Sequence, residues 1–299
     1  MQLGAGQLAA LLAVLREGSF DAAAKTLHVT SPAVSQRIKQ LEEQVGAVLV
    51  VRSSPCTATP TGEAVYRHAL QIELLERDLM ATLAPDATDP TRPPLRLSIA
   101  VNADSLATWL VAALAPFTAH TGARVDIRID DEDDTTTWLR SGKVLGAVTS
   151  NARAVQGCDV RPLGIMRYQA TASPRFVRRW LADGTTAAAL REAPCLAYNR
   201  KDRLCAQFVA RARRTKAPVL HPHFVPSPNA YVEATLRGVG WGMNPESLVA
   251  PHVRRGRLVD LFPGQTIDVP LYWQQWSIAS QSLAALASAL RDHAAQTLR

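Results

Sequence analysis

Between Gly18 and Gly46 two helical patterns follow one another with only His28-Val29-Thr30 between them. Ser19 offers an N-cap, and Phe20, Ala23, Ala24 and Leu27 form a short apolar stripe built largely of alanine. Small residues let two helices approach closely, which a helix-turn-helix requires. Thr30 or Ser31 then caps a second helix, and Pro32 sits in its first turn, where a missing N–H costs nothing. Val34, Ile38, Leu41 and Val45 recur along it at helical spacing. A third pattern comes before both: Leu8, Leu11, Leu12 and Leu15 fall at i, i+3, i+4 and i+7 and stop at Gly18, a common C-terminal punctuation.

The face opposite Val34 and Ile38 carries Ser31, Ser35, Gln36, Arg37, Lys39 and Gln40. Short hydroxyls and amides suit base edges, and cations suit phosphates. A solvated helix face has the same composition, so these residue types alone do not choose between the two.

The surrounding stretch, SFDAAAKTLHVTSPAVSQRIKQLEEQVG, resembles the winged helix-turn-helix of LysR-type transcriptional regulators through Ser19, Ala23, Ala24, Leu27, Ser31, Val34, Ser35, Ile38, Leu41, Glu42 and Gly46 at unbroken spacing. The resemblance implies a DNA-binding domain over 1–60 that reads a double-stranded operator. Ser31, Pro32, Ser35, Gln36, Arg37, Lys39 and Arg52 are its DNA-contacting residues. Two departures stand out: the wing, 51–58, reads VRSSPCTA where many members have F-x-R, and TPTG at 59–62 replaces the usual L-T-x-x-G. A long helix then carries Ala64, Val65, Ala69, Ile72, Leu75 and Leu79 on one side. By resemblance 61–84 is a linker helix that pairs with its twin, giving a homodimer or homotetramer, with RNA polymerase as a candidate further partner.

The proline-dense polar segment 85–94 reads as a hinge. Beyond it LRLSIAVN, VDIRIDD and VLGAVTS alternate with SLATWLVAALAPFTAHT and TTTWLRSG, a βαβαβ order that implies a parallel sheet. The alternation restarts with strands expected at 167–172, 195–198, 223–225 and 240–243 and helices at 174–182, 201–214 and 229–237. A last strand at 271–278 and a helix at 283–297 return to the first lobe. The expected fold is α/β overall: the winged head and linker helix, then a two-lobed effector domain over 95–299 resembling periplasmic binding proteins. Lobe 1 takes 95–162 and 267–299, and lobe 2 takes 163–266.

Ligands of open α/β sheets sit beyond the carboxyl ends of strands. That points to Asn102, Asp104 and Ser105, to Asp130 and Asp133, to Thr149 and Ser150, and to Tyr198, Asn199 and Asn229. Ser105 at a helix start suits a carboxylate. The acidic run 130–134 suits a cation, although acids at a helix start also serve as capping charge. AVNADSLATWL, LRSGKVLGAVTS, YNRKDRL and PSPNAYVEATLRGVGWGMNP look like the LysG/ArgP-like subgroup, which senses basic amino acids and controls their export. The implied effector is L-lysine or L-arginine, its α-carboxylate near Ser105 and its cationic end near an acidic side chain.

Charge does not locate the DNA site. The first ninety residues carry seven Lys/Arg and ten Asp/Glu, net −3, whereas the chain as a whole is +7. Cys56, Cys158, Cys195 and Cys205 show no CxxC spacing and read as reduced thiols, with a Cys195/Cys205 redox-sensing regulator as an alternative. An α/β enzyme is a further alternative, but GxSxG, HExxH, P-loop and GxGxxG patterns are missing. His120, His221, His223 and His252 show no metal-ligand spacing. No cofactor is expected. The apolar run 8–15 precedes the first basic residue, Arg16, and so lacks the basic leader of a signal peptide. No segment has the length of a membrane span, and a cytoplasmic protein is expected.

Overall fold

The structure, a computed structural model, describes residues 2–83, 94–129 and 135–299. The expected hinge therefore lies outside the described residues apart from Pro94, as do Asp130 and Asp133.

The head is built from α1 (Ala5–Glu17), α2 (Phe20–Thr26), α3 (Ser31–Val45), β1 (Val50–Val51), β2 (Thr57–Ala58) and α4 (Pro60–Leu83). Local chemistry sets its boundaries. Gly18 ends α1 at φ 71°, Ser19 Oγ accepts the Ala22 N–H at 3.1 Å, and Gly46 ends α3 at φ 74°. Thr30, rather than Ser31, is the N-cap of α3 and accepts the Ala33 N–H. Leu11, Val14, Ala23, Val34, Ile38 and Leu41 meet in one core. Glu42 reaches past the end of α3, and its Oε1 accepts the N–H groups of Leu49 (2.8 Å) and Val50 (3.3 Å), fastening the wing to the helix.

The C-terminal part runs through β3 (Arg96–Val101), α5 (Ala103–Ser105), a π-helical turn (Leu106–Leu110), α6 (Val111–Thr121), β4 (Arg124–Ile129), α7 (Thr135–Ser141), β5 (Gly146–Thr149) and β6 (Cys158–Ala172). It continues through α8 (Pro174–Trp180), α9 (Ala187–Glu192), β7 (Cys195–Ala197), α10 (Leu204–Arg213), β8 (Pro222–Phe224), α11 (Pro228–Leu236) and β9 (Gly242–Pro245). It closes with α12 (Glu246–Arg254), β10 (Val259–Asp260), β11 (Thr266–Trp276) and α13 (Gln281–Thr297).

One seven-stranded sheet carries the order β10-β6-β11-β5-β3-β4, with β9 also paired to β6. β3 lies parallel to both β4 and β5, as the βαβαβ pattern requires. β7 and β8 form a separate parallel pair in the second lobe. The lobes are joined by the antiparallel pair β6 and β11, and a single apolar core containing Trp109, Trp241, Trp273 and Trp276 runs through both.

Three expectations need correction. The strand expected at 167–172 begins nine residues earlier, at Cys158, and the last strand begins at Thr266 rather than 271. Pro162, Gly164 and Pro270 read as strand breakers, yet a register shift at Leu271/Tyr272 accommodates them; bulges are where sheets tolerate such residues. Helices α9 and α12 were not expected, and Pro251 within α12 obscures its pattern.

The apolar side of α4 is also divided differently. Ala69 packs into the head, Ile72 is partly buried against it, and Leu74 enters the effector-domain core. Asp78 is buried and accepts the hydroxyls of Ser280 (2.7 Å) and Ser282 at the start of α13. A carboxylate there complements the positive end of the helix. Leu75, Leu79, Met80 and Leu83 remain exposed.

Candidate functional site: a DNA-reading helix and an interlobe cleft

On α3 the alternation of burial separates two faces. Val34, Ile38 and Leu41 are fully buried, whereas Pro32, Gln36, Lys39 and Gln40 are exposed and Ser31, Ser35 and Arg37 are partly exposed. The expected reading residues therefore share the solvent side of the helix. Lys39 lies 3.8 Å from Glu43, both largely solvated, a pairing too weak to withhold the cation from a phosphate. Arg52 departs from this face: its guanidinium sits 4.7 Å from the ring centre of Phe20, which orients it against the start of α2.

In the sensor, the register Ile99↔Gly146 and Ala100↔Ala147 brings the carboxyl ends of β3 and β5 level, so Asn102 and Thr149 lie side by side. Asn102 caps α5 by accepting the Ser105 N–H at 2.7 Å. Ser105 is fully buried, and its Oγ has no hydrogen-bond partner among the described residues. Thr149 Oγ1 accepts the Asn151 N–H at 3.1 Å, and Ser150 follows it, partly exposed.

Asp104 is the electrostatic centre. Its Oδ2 accepts the Tyr168 hydroxyl at 2.6 Å. Burial pushes its carboxyl above the usual range and the charge of Asp202 adds to the shift, against the lowering effect of the Tyr168 bond. The carboxylate of Asp202, from the turn after β7, is thus near enough to act on Asp104 electrostatically. Asp202 is held by backbone, its oxygens accepting the N–H groups of Tyr198 (2.8 Å) and Leu204 (2.9 Å). Asn199 supports that turn by accepting from Lys201 (2.8 Å) and Asp202 (3.0 Å). Asn229 is exposed on the first turn of α11 and makes no hydrogen bond to this group among the described residues. Tyr168 and Asp202 escaped the sequence reading. Tyr168 sits in an alternating strand, where a tyrosine looks like core, and Asp202 looks like one more turn residue in YNRKDRL.

Cys195 and Cys205 are both free and buried. Burial pushes the Cys195 thiol up to about 12 and raises that of Cys205 as well, which disfavours the reactive thiolate form. Among the described residues no group of three or more His, Cys, Asp or Glu could hold a metal ion, and no helix is long and apolar enough to cross a membrane.

Comparison with known proteins decides what this architecture is. Residues 5–63 match the model of the bacterial regulatory helix-turn-helix protein, lysR family, and residues 91–298 match the LysR substrate binding domain. The chain belongs to the LysR family. It is thus a DNA-binding transcriptional regulator with an effector domain, not an enzyme. It is similar to the HTH-type transcriptional regulator LysG of Mycobacterium tuberculosis, 46% identical over 298 residues, covering 100% of this chain and 96% of that one. In structure it resembles ArgP from Mycobacterium tuberculosis at TM-score 0.86 and 46% identity, covering 100% and 99% of the two chains. It also resembles full-length LysG from Corynebacterium glutamicum with bound effector Arg, at TM-score 0.77 and 38% identity over 99% of both chains.

Proposed function

We propose that this LysR-type regulator binds a double-stranded operator through the solvent face of α3 and takes L-lysine or L-arginine between its lobes, controlling an amino-acid exporter gene. The observation that carries the effector assignment is the desolvated carboxylate of Asp104, held by the Tyr168 hydroxyl at 2.6 Å beyond the end of β3 and within the field of Asp202. Two carboxylates of like charge, one of them desolvated, favour a cation beside them. The partnerless hydroxyl of Ser105, at the start of the α5–α6 helix, supplies a donor for the ligand carboxylate. The similarity to a LysG with bound arginine and to regulators named for lysine export supports the same ligand class. Such a regulator works in the cytoplasm, where its operator is. A thermal-shift screen of the standard amino acids tests the assignment, since a ligand of the folded state raises the melting temperature. Lysine and arginine are expected to stabilise the protein above all others, and stabilisation by neutral amino acids alone would refute it.

Within this reading Gln36 reads a base. Gln36→Ala is expected to cost about 1–3 kcal/mol on the operator selected from random duplexes, and little on a scrambled duplex. Gel-shift titrations on both measure it, and equal losses would assign Gln36 to phosphate contact instead.

The same reading gives α4 to dimer formation. Leu75, Leu79 and Leu83 recur every four residues and are 41%, 56% and 68% exposed, with Met80 beside them. A stripe of this kind on a long helix is stabilised by its own symmetry mate. Leu79→Glu is expected to shift the species seen by light scattering toward monomer and to weaken operator binding with it, because two linked heads bind through effective concentration. An unchanged mass would remove α4 from the dimer interface.

A further inference from the structure

The basic excess of the chain is concentrated in one lobe. Residues 163–266 hold sixteen Lys/Arg against six Asp/Glu, net +10 in a chain of net +7, so everything outside them is net acidic. Neither a DNA-reading helix in the head nor a cation-binding cleft between the lobes accounts for that charge.

Part of it converges on an open pocket of about 670 Å³ in lobe 2, lined by Ser173, Arg175, Glu233, Arg237, Gly256 and Arg257, its arginines reaching solvent. Three elements meet there: the start of α8, the end of α11 and the turn after α12. Glu233, the carboxylate of the lining, is already held by Arg237 Nε at 2.6 Å. Arg175 and Arg257 have no ion pair or side-chain hydrogen bond among the described residues. Ser173 is 3% exposed, and its Oγ accepts the Phe176 N–H at 3.3 Å, leaving its own O–H to donate. The neighbouring His252 imidazole is held below its usual range first by burial and then by Arg257 and Arg255, against Glu233.

We propose that this cavity is a second ligand site, specific for a phosphate group. Its volume falls in the range of small-molecule sites. Uncompensated guanidinium forks with a buried hydroxyl match a tetrahedral dianion, which accepts paired N–H bonds from arginine. A basic amino acid is excluded by charge, so the two sites of the protein select ligands of opposite sign. The phosphate comes from a soluble phosphorylated compound or from the backbone of bound DNA.

Pyrophosphate is the probe, titrated calorimetrically into the full chain at low salt. Saturable binding is expected, weakened about tenfold or more in the Arg175→Gln/Arg257→Gln protein, since charge-assisted bonds are the strong ones. The Arg191→Gln/Lys216→Gln protein removes the same charge from lobe 2 outside the cavity and is expected to bind as the parent does. A random-sequence duplex separates the sources. If DNA supplies the phosphate, the duplex displaces pyrophosphate, and its own binding loses affinity and salt dependence in the cavity variant. If the ligand is soluble, pyrophosphate binds alongside the duplex. Equal losses in both double variants, or neither pyrophosphate binding nor a cavity-dependent duplex affinity, would overturn the proposal.

Discussion

Replacing Asp104 by asparagine is expected to reduce the affinity for lysine and arginine by about 2–5 kcal/mol, the usual cost of truncating one partner of a desolvated charge pair. Norleucine, which lacks the distal cation, is expected to lose far less. Asparagine keeps an oxygen for the Tyr168 hydroxyl, so the 2.6 Å bond persists and only the charge is removed. The stability of the ligand-free protein should move the other way. Asp104 has its folded-state carboxyl raised by burial and by Asp202. A carboxylate raised in this way favours the fold while protonated, and that contribution is lost as pH rises through the folded value. At neutral pH the variant should therefore melt higher than the parent without ligand, and the gap should close in acid below the ordinary carboxylate range. For the same reason lysine affinity of the parent should fall as pH drops and Asp104 takes up a proton. Calorimetric titration and melting curves across pH measure all of this. A variant that keeps its preference for cationic ligands would remove Asp104 from the site.

The second large effect lies in the head. A Cβ on Gly62 would stand 2.0 Å from the carbonyl oxygen of Leu49, a backbone atom of the wing that also accepts the Thr59 N–H at 3.0 Å. Glu42 Oε1 accepts the Leu49 N–H at 2.8 Å, so moving that backbone away also strains a second hydrogen bond. Gly62→Val is expected to cost about 3 kcal/mol or more, at the upper end for overpacking. It should also displace the wing and abolish operator binding. Gly6→Ala is the control: it is helical, a Cβ there meets nothing within 4 Å, and it should stabilise α1 by up to about 1 kcal/mol. Hydrogen exchange of the head amides together with gel shifts reads both. A Gly62→Val head with unchanged protection would show that the close approach of α4 to the wing is dispensable.

How far the residues announced these features varied with the range of the interactions. Ser19, Thr30, Gly18 and Gly46 act on backbone groups within four residues of themselves, so the helices of the head could be delimited by inspection. The course of β6 could not, because Pro162 and Gly164 carry the local chemistry of a loop and are overruled by pairing with β11, a strand about a hundred residues away. The proposed effector site was legible in part. Asn102, Asp104 and Ser105 follow from the rule that ligands gather beyond strand ends, and Asn102 does cap the turn that holds Ser105. Tyr168 reaches Asp104 only through the fold, from β6.

By itself the sequence determined the family, the helix-turn-helix and the alternating order of the sensor. The family rests on resemblance to a known motif, and the helices and alternation rest on periodicity and capping, which are properties of neighbouring residues. Only the tertiary structure decided which side of α4 faces inward, that Asp78 fastens that helix to α13, and that the Tyr168 hydroxyl meets Asp104. It also decided that the arginines of α8, of α11 and of the turn after α12 surround a single cavity. Each of these depends on distances between residues far apart in the chain, and no local pattern of charge or hydrophobicity specifies such a distance.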